Sequence, residues 1–277
     1  MDYIELICSL ELPTEEKQEI LTALLGDIGY DSFEYSENGI AAYILESFFS
    51  AEAVIEIQKS IDFQFTYSFS GVEKKNWNEE WEKNFLPVYI KNFYQIRAPF
   101  HEKKIGYKLD LLITPKMSFG TGHHPTTRLM LEQMVEMNFE NKNVLDMGSG
   151  TGILSIAASM LGAASVTAIE IDDWCYENIV ENVSLNKVQN INIFTGGIEL
   201  VNHSEAFDVI IANINRNVLL EQIPVYSNAM RKNAVLLLSG FYSEDRNAIE
   251  KLCSEHFLTF ETISGNSNWI VLSFRKY

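Results

Sequence analysis

Apolar and polar positions follow two different patterns along the chain, and the change between them divides the sequence into two parts. The first part begins with an apolar strand over 3–10 and an amphipathic helix, which lead to a hairpin that turns at Asn38-Gly39. A second helix then begins at Ser50, and an alternating strand follows over 63–69. This β-α-β-β-α-β order predicts a small ferredoxin-like α+β domain over residues 1–70.

The second part is different, because from residue 143 onward short apolar runs alternate with amphipathic helices. That alternation is typical of a parallel sheet covered by helices on both faces. The last two runs suit an antiparallel addition, so the sequence predicts an α/β, Rossmann-like domain whose mostly parallel sheet has an antiparallel final strand. Strands are predicted at 89–97 and 108–114 before this region, and at 144–145, 165–169, 191–194, 207–212, 234–238, 257–263 and 269–274 within it.

Residues 71–86 separate the two parts and are rich in polar and charged side chains. Trp77 and Trp81 lie four residues apart in this segment, a spacing that places both indoles on one face of a helix. We interpret the segment as a short linker helix that packs through its aromatic face. The larger, catalytic domain is then expected to span residues 87–277.

The net charge of −17 is concentrated in the first domain, where residues 1–70 carry 14 acidic and two basic side chains. The rest of the chain carries 24 acidic and 19 basic residues, a net charge of −5. An acidic surface repels nucleic acid and attracts basic partners, although acidic side chains also serve simply to keep a protein in solution. Both interpretations of the acidic segment stay open, and direct binding of nucleic acid is disfavoured.

Length and composition are those of a cytoplasmic globular protein. The 277 residues, 47 % of them hydrophobic, are enough to bury a sizeable core. No apolar run is long enough to span a membrane and no secretory signal begins the sequence, so we expect no membrane association. The three cysteines are widely spaced and match no metal-ligand pattern, so we expect neither a disulfide framework nor a bound metal.

The most informative motif is the run Asp146-x-Gly-x-Gly-x-Gly between a predicted strand and a predicted helix. Gly148 and Gly150 allow a tight turn and a close approach of the backbone to a ligand, where a Cβ atom would collide. Ligands of open parallel sheets bind outside the carboxyl ends of the strands, and Glu170 ends the next strand, 24 residues after Asp146. A carboxylate at that point can accept hydrogen bonds from both hydroxyls of a ribose.

A nicotinamide dinucleotide is the main alternative ligand for such a loop. The dinucleotide motif is G-x-G-x-x-G, but here the third glycine comes one residue early and Ile153 occupies its place. Asp146 would repel a pyrophosphate, whereas it tolerates the cationic amino-acid portion of S-adenosylmethionine. The sequence therefore favours S-adenosylmethionine as the cofactor, with S-adenosylhomocysteine as its product.

Two further segments offer side chains to the same edge of the sheet. Asn213 directly follows the fourth strand, and its amide, with one acceptor and two donors, can hold an amine substrate or form a turn. The glycine-rich run that contains Phe119 and Thr121 precedes a helix and predicts a loop that closes over a ligand. His123 and His124 are adjacent, which argues against a shared metal ion, and we expect them in loop structure or beside the cofactor.

Together these segments resemble the bacterial ribosomal protein L11 methyltransferases, the PrmA family, over nearly the whole chain. The most specific matches are 117–127 (Met-Ser-Phe-Gly-Thr-Gly-His-His-Pro-Thr-Thr), 144–154, 212–214 and 238–240. The resemblance implies a class I S-adenosylmethionine-dependent fold and N-methylation of lysine side chains and of the N-terminal amine of L11. It also implies that the small N-terminal domain recognises this ribosomal protein and is joined to the catalytic domain by a flexible linker.

The resemblance further implies that Thr127, Gly148, Glu170 and Asn213 contact the cofactor. Glu170 stands where the family usually has Asp, a change that keeps the carboxylate, and Thr114-Pro115-Lys116 replaces the usual Asp-Pro-Gly. The other predicted cofactor contacts, which rest on the residues themselves, are Asp146, Gly150, Phe119 and Thr121.

The predicted reaction is direct displacement at the sulfonium methyl by a neutral amine, with Asn213 as the catalytic residue. Lysine has an ordinary pKa of about 10.4 and an α-amine one of about 7.7–8.0, so the site must favour the neutral amine, as desolvation does. Three alternatives stay open: the same chemistry on another protein or on RNA, a nicotinamide enzyme, and a binding module that kept the cofactor pocket. We expect a monomer whose partner is a basic ribosomal protein.

Overall fold

The computed structural model describes residues 3–71, 85–116, 118–201 and 206–277. The chain separates into two compact units, Met1–Trp81 and Glu82–Tyr277. The linker helix expected over 71–86 falls for the most part on residues 72–84, outside the described ranges.

The first unit is a four-stranded antiparallel sheet, as far as residues 3–71 show, with two helices packed against it. The Thr14 hydroxyl accepts from the Lys17 amide and caps the first helix, and Ser50 caps the second in the same way. The observed order confirms the predicted ferredoxin-like fold. Its elements are β1 (Tyr3–Leu10), α1 (Glu15–Asp27), β2 (Ser32–Ser36), β3 (Gly39–Leu45), α2 (Ala51–Ser60) and β4 (Phe65–Gly71), in the sheet order β2-β3-β1-β4.

The second unit contains, within its described ranges, a seven-stranded sheet and a separate three-stranded sheet. Helices pack on the larger sheet, and buried aliphatic side chains fill the space between them. The elements are β5 (Val88–Ile90), β6 (Tyr94–Arg97), β7 (Leu109–Leu112), α3 (Pro125–Met134), β8 (Asn143–Met147), α4 (Ile153–Met160), β9 (Ser165–Glu170), α5 (Asp173–Leu185), β10 (Ile191–Thr195), β11 (Phe207–Asn213), α6 (Arg216–Ala229), β12 (Met230–Tyr242), α7 (Arg246–Glu255), β13 (Leu258–Asn266) and β14 (Trp269–Lys276).

The strand order of the larger sheet is β10-β9-β8-β11-β12-β14-β13. All neighbours from β10 to β12 pair in parallel, whereas β14 is antiparallel to both β12 and β13. The predicted α/β fold with a mostly parallel sheet and an antiparallel final strand is therefore confirmed. The order reverses between β8 and β11, and at such a switch point the connections leave in opposite directions and open a crevice at the carboxyl ends of the strands.

Several local features differ from the sequence expectations. The strand expected over 89–97 is divided into β5 and β6, because Lys91 and Asn92 both have positive φ angles, +46° and +51°, and reverse the chain. The apolar positions Leu129, Met130, Met134 and Met137 predict a helix that reaches Met137, but α3 ends at Met134 and Met137 lies beyond it.

Helix α6 is continuous through Pro224, although a proline in this position breaks one backbone hydrogen bond. The neighbouring Ile223 and Tyr226 are both fully buried, and this packing offsets the loss. None of the helices in the described ranges combines the length and the apolar character that crossing a membrane requires.

Candidate functional site

A crevice of about 280 Å³ opens at the carboxyl ends of β8, β9 and β11, at the switch point of the sheet. Loops that leave three neighbouring strands converge there, because parallel strands all end at the same edge. Five of the residues predicted from the sequence line this crevice, namely Phe119, Gly148, Gly150, Glu170 and Asn213. Sequence reasoning missed other lining residues, among them Ile171, Gly196, Gly197, Ile214, Val218 and Gln222.

A larger groove, of about 570 Å³, lies near the amino ends of β11 and β12 and includes Asp208 and Asn233. Charged side chains in that groove pair with one another, as Arg275 does with Glu261. We place the functional site in the smaller crevice, because the glycine loop and the strand-terminal carboxylate and amide meet there.

The glycines of the loop after β8 are required by the protein's own atoms. Gly148 and Gly150 have φ angles of +73° and +56°, a region that L side chains rarely adopt. A Cβ atom on Gly148 would lie 2.2 Å from Cγ2 of Ile214, and one on Gly150 would lie 2.2 Å from the carbonyl oxygen of Phe119. Glycine is therefore required at both positions even without the close approach of a ligand that the sequence predicts.

The segment around Phe119 lies directly on the glycine loop. The Thr151 amide donates to the Phe119 carbonyl at 2.9 Å, and the Thr151 hydroxyl donates to the Gly120 carbonyl at 2.7 Å. These bonds hold the segment at the crevice while the Phe119 ring stays half exposed. The Thr121 hydroxyl lies 3.1 Å from Nδ1 of His123, and Thr121 is not among the residues that form the described wall of the crevice.

Glu170 ends β9 at the mouth of the crevice. Its Oε2 accepts from the Gly150 amide at 2.8 Å, and its Oε1 accepts from the Ile171 amide at 2.9 Å. A carboxylate offers about four lone-pair sites. Because Oε1 also accepts from the Asp172 amide at 3.4 Å, about one site remains for a hydroxyl of a bound ribose. The same carboxylate thus fixes the glycine loop and faces the crevice.

Asp146 is fully buried at the end of β8 and does not belong to the described crevice wall. The Ser155 hydroxyl donates to its Oδ2 at 2.6 Å, whereas Oδ1 has no hydrogen-bond partner among the described residues. Burial raises the pKa of Asp146 to about 7, the Ser155 hydrogen bonds oppose this rise, and the negative charge of Glu170 adds to it.

Asp146→Asn should change how the stability of the protein depends on pH. Because the folded pKa of about 7 lies above the ordinary 3.8, the folded chain holds a proton in this window that the unfolded chain has lost. The free energy of unfolding therefore falls as the pH rises through the window, by at most roughly 1.4 kcal/mol per pH unit from this group. Asparagine does not titrate, so the free energy of unfolding of the variant should not show this fall with pH. Urea unfolding at pH 5, 6, 7 and 8 would measure it for both proteins. Parallel pH profiles for both proteins would contradict the expectation.

Asn213, which lines the crevice, contacts Thr127. The Asn213 amide nitrogen donates to the Thr127 hydroxyl at 3.5 Å, and Thr127 itself is fully buried on α3. The Asn213 amide oxygen is buried and finds no hydrogen-bond partner in the parts of the chain that the structure describes. A buried carbonyl oxygen without a partner is costly, which points to a ligand with an N–H or O–H donor.

The histidines after the Phe119 segment serve the local structure. His124 is the N-cap of α3, and its Nδ1 accepts from the Thr126 amide at 3.2 Å. His123 Nε2 lies 2.8 Å from the Leu86 carbonyl. Within the described ranges, one trio has its ligand atoms close enough to hold an ion, and it consists of Glu170, Asp172 and Cys175. The expectation of no metal stays a prediction.

The sheet order, the antiparallel β14 and the crevice at the switch point define the chain as a class I, S-adenosylmethionine-dependent methyltransferase. The family model of the ribosomal protein L11 methyltransferases (PrmA) matches residues 11–277. The chain belongs to this family.

Individual relatives agree with the family assignment. A ribosomal protein L11 methyltransferase of Phocaeicola vulgatus is 41% identical over 99% of both chains, and one of Porphyromonas gingivalis is 42% identical over 95% of this chain and 92% of its own. The crystal structure of a ribosomal protein L11 methylase from Lactobacillus delbrueckii subsp. bulgaricus superposes with a TM-score of 0.65 at 27% identity. It covers 70% of this chain and 100% of its own.

Proposed function

We propose that this protein transfers methyl groups from S-adenosylmethionine to amine nitrogens of ribosomal protein L11, on lysine side chains and on the N-terminal amine. The observation that carries the proposal is the Asn213 amide oxygen, which is buried at the crevice and accepts no hydrogen bond from any described residue. A neutral amine brings N–H donors and would satisfy this oxygen. Family membership supplies the substrate.

The residues of the crevice fit S-adenosylmethionine. Gly148 and Gly150 present backbone without side chains, and the Glu170 carboxylate keeps acceptor capacity for a ribose hydroxyl. The half-exposed Phe119 ring and the aliphatic Ile171 offer apolar surface for an adenine ring. When bound, this cofactor supplies an electrophilic methyl group on a positively charged sulfur.

Three of the predicted residues lie outside the crevice wall and would have supporting roles. Thr127 would act through Asn213, whose amide it holds, and Asp146 would support the loop from the core through Ser155. Thr121 would help to fix the Phe119 segment through its contact with His123.

The chain's own contribution to the chemistry is alignment and control of protonation. The Asn213 oxygen would accept an N–H from the amine and so orient its nitrogen for reaction with the methyl group that the cofactor supplies. The amide of Asn213 cannot remove a proton, so the reaction needs the neutral amine, which desolvation of the amine on binding would favour. The excess proton of the alkylated nitrogen then leaves to solvent.

The first unit is proposed as the substrate-recognition domain, over residues 1–70, and residues 87–277 as the catalytic domain. The net charge of −12 that the first 70 residues carry suits a basic ribosomal protein as the partner. The same charge disfavours direct contact with nucleic acid. We further propose a cytoplasmic monomer that needs no metal.

The test is incubation of the purified enzyme with methyl-labelled S-adenosylmethionine, purified ribosomal protein L11 and ribosomal RNA. We expect label on L11, and mass spectrometry of the peptides should place it on lysine side chains and on the N-terminal amine. EDTA should leave the rate unchanged. Label on RNA or on another ribosomal protein would redirect the proposal, and an unlabelled L11 would overturn it.

A further inference from the structure

Helix α5 and its C-cap carry three asparagines spaced four residues apart, which we call the asparagine row: Asn178, Asn182 and Asn186. Asn178 is 1% exposed and Asn182 is fully buried. Side chains at this spacing lie one above the other on a helix, so the row forms a line of amide groups along one face of α5. The proposed reaction assigns no role to this row.

The asparagine row binds the extended backbone at the end of β7. Asn186 accepts from the Leu112 amide at 2.9 Å and donates to the Leu112 carbonyl at 2.6 Å. Two residues later along the segment, Asn182 Oδ1 accepts from the Thr114 amide at 2.8 Å, and Asn178 donates to the Thr114 carbonyl at 3.3 Å. The side-chain amides thus take the place of a neighbouring strand, because alternate residues of an extended segment present their backbone groups to the same side.

Two side chains of the run Thr114-Pro115-Lys116 also bind α5. The Thr114 hydroxyl donates to Oε1 of Glu181 at 2.9 Å, and Nζ of Lys116 donates to Oε2 of the same carboxylate at 2.5 Å. The hydrogen bond from Lys116 lowers the pKa of Glu181, so the carboxylate stays ionised at neutral pH. The segment that leads towards Phe119 is therefore fixed to α5 by both backbone and side-chain contacts.

Asn182 differs from the other two asparagines because its amide also reaches the glycine loop. Its nitrogen donates to the Thr151 carbonyl at 2.8 Å. Thr151 in turn donates through its amide to the Phe119 carbonyl and through its hydroxyl to the Gly120 carbonyl. One buried side chain therefore holds both Thr114, which precedes the Phe119 segment, and Thr151, on which that segment rests.

We propose that Asn182 is a positioning residue for the cofactor, because it holds the Phe119 segment and the glycine loop in one arrangement. This inference rests on the proposed function and adds a residue that is not among those lining the described crevice. Phe119 and Gly150 both line the crevice, so a displacement of one relative to the other changes the space that the cofactor occupies. A buried carbonyl that loses its donor is costly, so without the Asn182 amide the Thr151 carbonyl would shift, and the Phe119 segment with it.

Asn182→Ala should weaken the binding of S-adenosylhomocysteine about tenfold in a calorimetric titration, because it leaves the Thr151 carbonyl and the Thr114 amide without these partners. The KM for S-adenosylmethionine should rise by a similar factor. At saturating cofactor, kcat should stay within about twofold of the wild-type value, because Asn213 is untouched and the lost interaction serves binding rather than the chemical step. A general loss of structure would instead lower kcat together with the affinity.

Asn186→Ala is the matched control. It removes two hydrogen bonds to backbone from the same face of α5, but none of the described contacts of Asn186 reaches Thr151, so it should lower the Tm and leave the affinity unchanged. An equal loss of affinity in both variants, or wild-type affinity in Asn182→Ala, would overturn the proposal. Weakened binding confined to Asn182→Ala, in a protein that fails to methylate L11, would keep the proposal and refute only the proposed substrate.

A second measurement uses the unaltered chain and needs no ribosomal protein. Thr114 and Thr151 are both held by Asn182, so their backbone amides should become protected together when the cofactor site is filled. Saturation with S-adenosylhomocysteine should slow hydrogen exchange of these two amides by similar factors, whereas the Leu112 amide, held by Asn186, should change far less. Slower exchange at Thr151 without any change at Thr114 would overturn the proposal.

Discussion

Asn213→Ala is expected to lower kcat for methyl transfer about 100-fold, which corresponds to about 2.7 kcal/mol of lost transition-state stabilisation. The variant loses the buried oxygen that would accept an N–H from the amine and align its lone pair. Binding of S-adenosylmethionine should weaken less than tenfold, because the glycine loop and Glu170 are untouched. Single-turnover kinetics with L11 would measure the first quantity, and calorimetric titration the second.

Two further variants make this expectation specific. Thr127→Val removes the hydroxyl that holds the Asn213 amide and should lower kcat by about tenfold, whereas Thr127→Ser should retain most of it. Asn217→Ala, at an exposed asparagine of α6, controls for the loss of an amide near the site. Wild-type turnover in Asn213→Ala would exclude Asn213 from the mechanism.

Gly150→Ala is expected to destabilise the catalytic unit and to remove most of its affinity for the cofactor. Left-handed backbone costs an alanine about 1–2 kcal/mol, and overpacking adds roughly 1–3 kcal/mol. The new Cβ would lie 2.2 Å from the Phe119 carbonyl oxygen, a backbone atom that cannot move without displacing the Phe119 segment. About 3 kcal/mol corresponds to a fall in Tm of roughly 6–12 °C for a unit of this size. Calorimetry and cofactor titration would check both effects.

Gly106→Ala is the matched control for that variant. Gly106 also has a positive φ angle, +105°, but a Cβ atom there would meet nothing within 4 Å. It should therefore show the backbone strain alone, with a fall in Tm of roughly 2–8 °C and with unchanged cofactor binding. Equal effects of the two substitutions would mean that the contact with Phe119 is not what requires a glycine.

The alternation of strands and helices was enough to predict both folds, because the period of apolar positions decides which face of each element is buried. The division of the 89–97 strand could not be predicted in this way. Lys91 and Asn92 adopt positive φ angles where the chain turns back so that β6 pairs with β5. The pattern of apolar positions does not predict this pairing. A proline within a helical pattern predicts an interrupted helix. Helix α6 is nevertheless continuous through Pro224, because the neighbouring Ile223 and Tyr226 are fully buried.

The candidate site was only partly predictable for the same reason. A residue that ends a strand can be located from the sequence, and Glu170 and Asn213 were found because they follow apolar runs directly. Gly196 and Gly197 follow β10 in the same manner and were overlooked, although two adjacent glycines after a strand were a usable signal. Val218 and Gln222 lie on the first turns of α6, and nothing in a helical pattern shows that they face the crevice.

The position of β14 between β12 and β13 has a consequence for biosynthesis. Ribosomes release the chain from its amino end, so β12 and β13 both emerge before the strand that joins them. Until then β12 presents an open row of backbone donors and acceptors, a template on which a neighbouring nascent chain can add a strand. We therefore expect a translational pause shortly before residue 269 to increase co-translational aggregation. A pause during synthesis of the amino-terminal unit should not increase it.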